Sequence, residues 1–489
     1  MGKKLPYDKK NPYSIEKYSK TLIDKTFADV LGANFSDEEL KEKIKYYNNP
    51  RAKGGLGNLL EKYFFYYEPN SESEPDFAEA GVELKVTPYE LTTKNRVRAG
   101  ERLVITMIPN RDPVEDEFSD SHLFRKIANL LLIFYQRERS KKRTDYRIDY
   151  VTLFSLLSEN CKEDFLIIKD DYKKIIGKIK AGKAHELSEG DTKYLGACTK
   201  GSTAKDSLAP QYYNPDVLAK RRAFSLKQGY MTYLLNNYIL GGISTSDSIF
   251  HGEDLVNDDF DTAVIKKIGS YVGKKEEELY SIFEIDKNIK QRNSMLIMRM
   301  LGVKTDNAAE FEKADIEIKT IRVSKNGKPK ESMSFPAIEI MKFVNEEFEE
   351  SELYEYFSQK RFLFVVFHED KSGDFILKGA KFWNMPMEDL EGQGKKEWTE
   401  YRDKFKEGVK FCEEPWGNIT RIVNDLPTQK NTEIFHMRPH ASKSGYIIGG
   451  KKFGTPTPGN IDLLPNGDYM TKQCFWLNSS YIAKIIEMV

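Results

Sequence analysis

At 489 residues the chain is too long for one typical hydrophobic core, so two or more domains are expected. Apolar residues make up 39% of it and aromatics 12%, enough to bury real cores. Its 76 basic and 76 acidic residues cancel, which excludes an indiscriminate, long-range DNA coat but leaves room for local basic patches.

MGKKLPYDKKNPYS at the start has lysines but no apolar run, so it does not read as a signal peptide. No stretch approaches the length of a membrane span. Cys161, Cys198, Cys412 and Cys474 form no CxxC pair, which argues against a structural zinc site or disulfide framework. The expected setting is a reducing cytoplasm.

GGLGNLLEKYFFYYE (54–68) has helical apolar spacing from Leu56. VELKVTPYEL reads as a strand broken at Pro88, with Val82, Leu84 and Val86 on one face and Glu83 and Lys85 on the other. ERLVITMIP (101–109) reads as a returning strand. HLFRKIANLLLIFYQ (122–136) joins a basic helix face to an apolar run, and DYVTLFSLL follows as strand or buried helix. KDDYKKIIGKIKAGK (169–183) reads as a solvated helix face. GGISTSDSIFHGEDLVNDDFD (241–261), rich in Gly, Ser and Asp, is the linker candidate between the helical patterns MTYLLNNYIL and KNIKQRNSMLIMRMLGV.

The two halves echo each other. DFAEAGVELK (76–85) aligns without gaps to EFEKADIEIK (310–319). TKYLGACTKGST (192–203) matches TEIFHMRPHASK (432–443), and SLKQGYMT (225–232) loosely matches MTKQCFWL (470–477), in the same order. The chain therefore reads as two diverged copies of one α/β domain.

Asp76, Glu83 and Lys85 form D-x6-E-x-K, the last part on a strand. Cleaving a phosphodiester needs a cation held by hard oxygens, a positioned water and positive charge near the developing oxyanion. Asp76, Glu83 and the Leu84 carbonyl can supply oxygens to Mg²⁺, and Glu61 could complete the set. Lys85 can orient or deprotonate the water and stabilise the transition state. An isolated E-x-K is usually a surface pair. The Pro-Asp turn and the bracketing apolar residues weigh against that here.

GGLGNLLE followed by PDFAEAGVELKVTP resembles the active-site signature of the MutH family, which includes the mismatch-repair nicking enzyme and the Sau-type restriction endonucleases that cut at GATC. HELSEGDTKYLGACTKG and AFSLKQGYMT resemble the family's later DNA-contacting segments. The resemblance implies a restriction-endonuclease-like fold, with a mixed sheet flanked by helices in each of two tandem domains. The first, 1–245, would be catalytic, 246–265 would link, and 266–489 would be a degenerate DNA-binding or allosteric copy. It places Glu61, Asp76, Glu83 and Lys85 on catalytic positions, and Lys53 and Lys126 on lysines that contact the DNA backbone. Lys200 falls on the lysine of the recognition loop, with Lys227 in the later DNA-contacting segment. Cys198 stands where the repair enzyme has an arginine, and Ser225 where it has a tyrosine associated with sensing adenine methylation. Cleavage indifferent to that methylation is the expectation.

The second copy keeps Glu317 and Lys319 but has Glu310 at the Asp position and Met298 at the Glu61 position, so it is expected to be catalytically silent. Arg438 in HMRPHASK resembles the recognition loop, which implies a DNA-binding role. His436 and His440 have i, i+4 spacing, but Pro439 between them and the lack of a third ligand argue against zinc. The expectation is thus a Mg²⁺-dependent type II restriction endonuclease acting on double-stranded GATC DNA. It would dimerise on DNA and work beside a cognate methyltransferase. A strand-nicking repair enzyme and a non-catalytic DNA-binding regulator are the alternatives.

Overall fold

The helix expected from Leu56 is α1 (Gly55–Tyr63), and it buries Leu56, Leu59 and Leu60 on one face. Gly55 opens it at φ +52°, and a Cβ there would lie 3.1 Å from the Arg143 guanidinium, so this start suits glycine. This computed structural model describes residues 5–487 except 50–54, 70–72, 93–96, 139, 201–206, 242–246, 251–253, 331 and 417–418.

After α1 come β1 (Glu83–Leu91), β2 (Val97–Ala99), β3 (Leu103–Met107), α2 (His122–Ile127), β4 (Asn129–Gln136) and β5 (Ile148–Ser155). One sheet has the order β2-β1-β4-β5, with β1 and β4 parallel and the outer pairs antiparallel. The apolar run becomes its central strand: Leu130, Leu131, Leu132 and Ile133 are fully buried, as expected for a strand covered on both faces.

Two sequence expectations change. Pro88 does not break β1, which runs through it. Its carbonyl accepts from Gly100 N–H (2.8 Å), just past the end of β2, and the Gly100 carbonyl that a Pro88 N–H would have met accepts from the Arg137 guanidinium instead (2.9 Å). The strand at 101–109 does not return to β1 either. β3 pairs with the later strand Arg222–Leu226 in a second sheet, because pairing partners are set by contacts far along the chain.

That second, antiparallel sheet places Arg222–Leu226 between β3 and a third strand. Its approach is α3 (Lys162–Lys180), then β6 (Leu195–Thr199), β7 (Arg222–Leu226) and α4 (Gln228–Tyr233). The lysine-rich stretch expected to be a solvated face is solvated on one side only. Asp171, Tyr172, Ile175, Ile176 and Ile179 of α3 are buried.

The same plan recurs further on. α5 (Arg292–Met300) and α6 (Ala309–Ala314) precede β8 (Ile316–Val323), β9 (Met333–Ala337), α7 (Glu352–Gln359), β10 (Arg361–Glu369) and β11 (Phe375–Trp383). β8 and β10 are parallel, and β11 is antiparallel to β10. α8 (Lys395–Glu407), β12 (Phe435–Pro439) and β13 (Gln473–Leu477) follow, with β13 central in the antiparallel sheet β9-β13-β12. Gly81 and Asp315, aligned by the repeat, both take left-handed backbone (φ +63° and +51°), a region where Asp is among the tolerated side chains. The ladders correct the third sequence match: Leu226 pairs with Leu195 and Leu477 with Phe435, so RAFSL corresponds to QCFWL.

By its contacts the chain forms two units, residues 1–260 with 307–315 and residues 261–306 with 316–489. Within the stretch read as a linker, Ile249 and Phe250 are buried and a helix, Phe260–Gly269, begins. The short helix α6 belongs to the first unit, where Phe311 lies near Phe260 and the Lys313 ammonium lies 2.6 Å from Asp164. Among the described residues no helix is long and apolar enough to cross a membrane.

Candidate active site

Residues 76–85 fold back on themselves. Phe77 and Val82 exchange backbone hydrogen bonds (2.9 and 3.3 Å), the short helical turn Ala78–Ala80 fills the gap, and Gly81 reverses the chain into β1. This closure carries Asp76 back onto the start of the strand. Its N–H donates to Glu83 Oε2 (3.2 Å), and its Oδ2 accepts from Leu84 N–H (2.9 Å). The six residues that separate the two carboxylates are therefore the length of the turn that brings them together.

Positive charge comes from two lysines. Lys85 Nζ lies 2.7 Å from Glu83 Oε1 and also donates to the Ile105 carbonyl on β3 at 3.3 Å. Lys126, on α2, reaches both oxygens of Glu83 at 3.3 and 3.4 Å. Its helix is capped by Ser121, which accepts from Phe124 N–H. Lys126 is buried, so it meets the site carboxylate instead of lying on the surface.

Glu61, from α1, completes the negative side. Burial first, then the charge of Asp76, pushes its carboxyl up to about 7. Asp76 is raised to about 6 by burial and by Glu83, against the opposing pull of Leu84 N–H, Lys85 and Lys126. Among the described residues, no three His, Cys, Asp or Glu side chains cluster tightly enough to form a ready metal cage. The chemistry of the donor set nonetheless fits a hard divalent cation. Two carboxyls raised by burial and like charge hold an unmet demand for positive charge, and every donor is oxygen.

Tyr67 was not visible from sequence. Its N–H donates to the Glu61 carbonyl (3.0 Å), and its buried hydroxyl has no hydrogen-bond partner. The charges of Asp76 and Glu61 reinforce burial in holding that phenol protonated. The aromatic run YFFYYE gives no hint of which ring faces the carboxylates.

In the second copy Lys319 pairs with Glu317 at 2.6 Å, and the Tyr356 hydroxyl donates to Glu317. Glu310 is engaged elsewhere: buried in the first unit, it accepts from the Ser248 hydroxyl and from Ile249 N–H. Met298 is buried on α5 and offers no oxygen. The carboxylate pairing that defines the first site is not reproduced.

Of the residues read as DNA-binding, Lys53 lies outside the described residues. Lys200 is half-buried at the end of β6, its N–H bonded to the Arg221 carbonyl (2.8 Å). Lys227 is buried, and its ammonium donates to the Thr192 carbonyl. Arg438, on β12, lies 5.2 Å over the Trp476 ring and donates to Gln429. Cys198 and Ser225 are buried on paired strands.

The family model described as DNA mismatch repair enzyme MutH matches residues 65–171 and 301–391, one stretch in each copy. The type II restriction enzyme Sau3AI of Staphylococcus aureus is 35% identical over 495 aligned residues, covering 96% of this chain and 98% of that one. The DNA mismatch repair protein MutH of Escherichia coli O6:K15:H31 (strain 536 / UPEC) is 27% identical over 194 residues, 81% of its own length but 40% of this chain. The repair protein thus accounts for well under half of the chain, whereas the restriction enzyme runs through both copies. The chain belongs to the MutH-type restriction endonuclease family of which Sau3AI is a member.

Proposed function

We propose that this protein is a type II restriction endonuclease that cuts both strands of DNA at GATC by metal-assisted phosphodiester hydrolysis. The observation that carries the reading is the closed 76–85 loop, which brings Asp76 back to Glu83 and Lys85 at the start of β1. The family's restriction members support DNA as the substrate, and the resemblance to Sau-type enzymes supports GATC.

Asp76, Glu83, Glu61 and the Leu84 carbonyl would hold Mg²⁺, which supplies positive charge to the scissile phosphate and acidifies water. The chain's own residues do the rest. Lys85, fixed between Glu83 and Ile105, orients the attacking water and stabilises charge building on the phosphate oxygens. Lys126 holds Glu83 in one orientation from the other side. Buried walls keep the field between these charges strong.

The second copy, lacking the paired carboxylates, serves to bind DNA through Arg438 and raises the local concentration of the site. Lys53 and Lys200 contact DNA in the first copy. One cutting centre per chain requires two chains, or two successive events, to sever a palindrome, so association on DNA is part of the reading. Cleavage indifferent to adenine methylation and a cognate protecting methyltransferase complete it.

Plasmid cleavage tests it: wild type, Asp76→Ala and Glu317→Ala, with and without Mg²⁺, on DNA with and without GATC. Linear fragments from wild type and Glu317→Ala, and none from Asp76→Ala, from Mg²⁺-free reactions or from DNA without GATC, are expected. Binding without cutting by the wild type would make the chain a DNA-binding regulator.

A further inference from the structure

Each copy clasps the start of its second-sheet strand in the same way. In the first, Asp171 of α3 is fully buried, and its carboxylate accepts three consecutive N–H groups: Lys193 (2.9 Å), Tyr194 (2.7 Å) and Leu195 (3.0 Å). In the second, Glu397 of α8 is 1% exposed and accepts from Glu433 (2.5 Å), Ile434 (3.2 Å) and Phe435 (2.7 Å). The strand registers make these triplets equivalent, because Leu195 pairs with Leu226 as Phe435 pairs with Leu477.

A second clasp sits beside the first. Lys227, one residue past Leu226, donates its ammonium to the Thr192 carbonyl, and its N–H donates to the Tyr194 carbonyl at 2.9 Å. Asn478, one residue past Leu477, donates its amide to the Thr432 carbonyl (2.8 Å), and its N–H donates to the Ile434 carbonyl at 2.9 Å. Sequence does not reveal this match, since Lys and Asn share neither charge nor length. What the copies share is a buried donor on one carbonyl and a buried carboxylate on the next three N–H groups.

We propose that Asp171 with Lys227, and Glu397 with Asn478, are positioning residues that fix where β6 and β12 present their DNA-facing ends. This rests on the reading of Lys200 and Arg438 as DNA contacts. Those residues lie five and three positions beyond the clasped Leu195 and Phe435, roughly 16 and 10 Å along an extended strand. A slip of one residue would turn every side chain of the strand to the opposite face. Three N–H donors on one carboxylate oppose such a slip, each a hydrogen bond to a charged acceptor. The clasp acts on recognition, with no part in the bond-breaking step.

The substitutions follow from the donor count. Asp171→Asn keeps the shape but sets an NH₂ against a row of donors. Lys227→Gln keeps a donor, as Asn478 does naturally, and Lys227→Ala removes it. The readouts are affinity for a GATC duplex and for a duplex lacking it, and the single-turnover cleavage rate at saturating DNA and Mg²⁺. Asp171→Asn and Lys227→Ala are expected to lower the preference for GATC by about tenfold or more, the scale of a lost charged hydrogen bond. Their saturated rate should stay within about threefold of wild type and Lys227→Gln should keep its preference, because the clasp makes no transition-state contact. Folded variants with full GATC preference would overturn the proposal. So would Lys227→Gln and Lys227→Ala weakening binding to both duplexes alike, the mark of a phosphate contact. If Asp171→Asn does not fold, the Lys227 pair decides. If the wild type itself shows no preference for GATC, the proposed function fails. The clasp is then judged by amide exchange at Lys193, Tyr194 and Leu195, where an unchanged rate in Lys227→Ala overturns it.

Discussion

Glu61 and Asp76 each hold a proton, with carboxyls at about 7 and about 6, through a pH range where the unfolded chain has already lost it. A raised carboxyl contributes stability that is present below its unfolded value and lost as pH rises through the folded one. Without divalent ions the protein should therefore melt lower at pH 8 than at pH 5 through this site. Glu61→Gln should flatten the difference and stabilise the pH 8 form by roughly 1–2 kcal/mol, read by thermal unfolding. In cleavage, protons and the cation compete for the same oxygens. Activity should rise between pH 6 and 8, and more Mg²⁺ should move the rise to lower pH. Lys85→Met should lower the cleavage rate by about 10²-fold or more, with DNA binding retained.

Leu131 lies fully buried in the middle of β4, and Leu131→Ala should cost about 2–5 kcal/mol in denaturant unfolding. How legible such elements were depended on how local their causes are. Alternation along β1 and helical spacing in α1 are properties of neighbouring residues, so Glu83, Lys85 and Glu61 could be picked out. Asp76 was legible for the same reason, since the turn that returns it to Glu83 is only a few residues long. Lys126 and Lys227 stand in the sequence only as lysines, and their side chains run to Glu83 and Thr192 through packing of distant segments that no spacing encodes. Asp171 was hidden in a lysine-rich helix whose buried side shows only once β6 lies against it. β3 changed sheets because its partner strand lies far along the chain, and Pro88 stayed inside β1 because Arg137, distant in sequence, serves the carbonyl its missing N–H would have met.

At the scale of the whole molecule, the repeat was readable but its partition was not. Helix α6, part of the second copy by sequence, belongs to the first unit, where Lys313 meets the buried Asp164 and Glu310 meets Ser248. A chain ending at 260 would leave Asp164 with the Tyr230 hydroxyl but without the Lys313 ammonium, and removing one member of a buried ion pair costs on the order of 3–5 kcal/mol. Residues 1–315 should accordingly melt well above residues 1–260, as thermal unfolding of both would show. The backbone passes between the units after 260, after 306 and after 315. Inheritance feels that threading. A gene recombined once between residues 260 and 307 would join one parent's first unit to a foreign α6, and a second copy transplanted that way would arrive carrying a piece of its old neighbour. Exchange of halves, the easy route to new combinations in beads-on-a-string proteins, is closed here unless Asp164, Ser248 and Lys313 travel together.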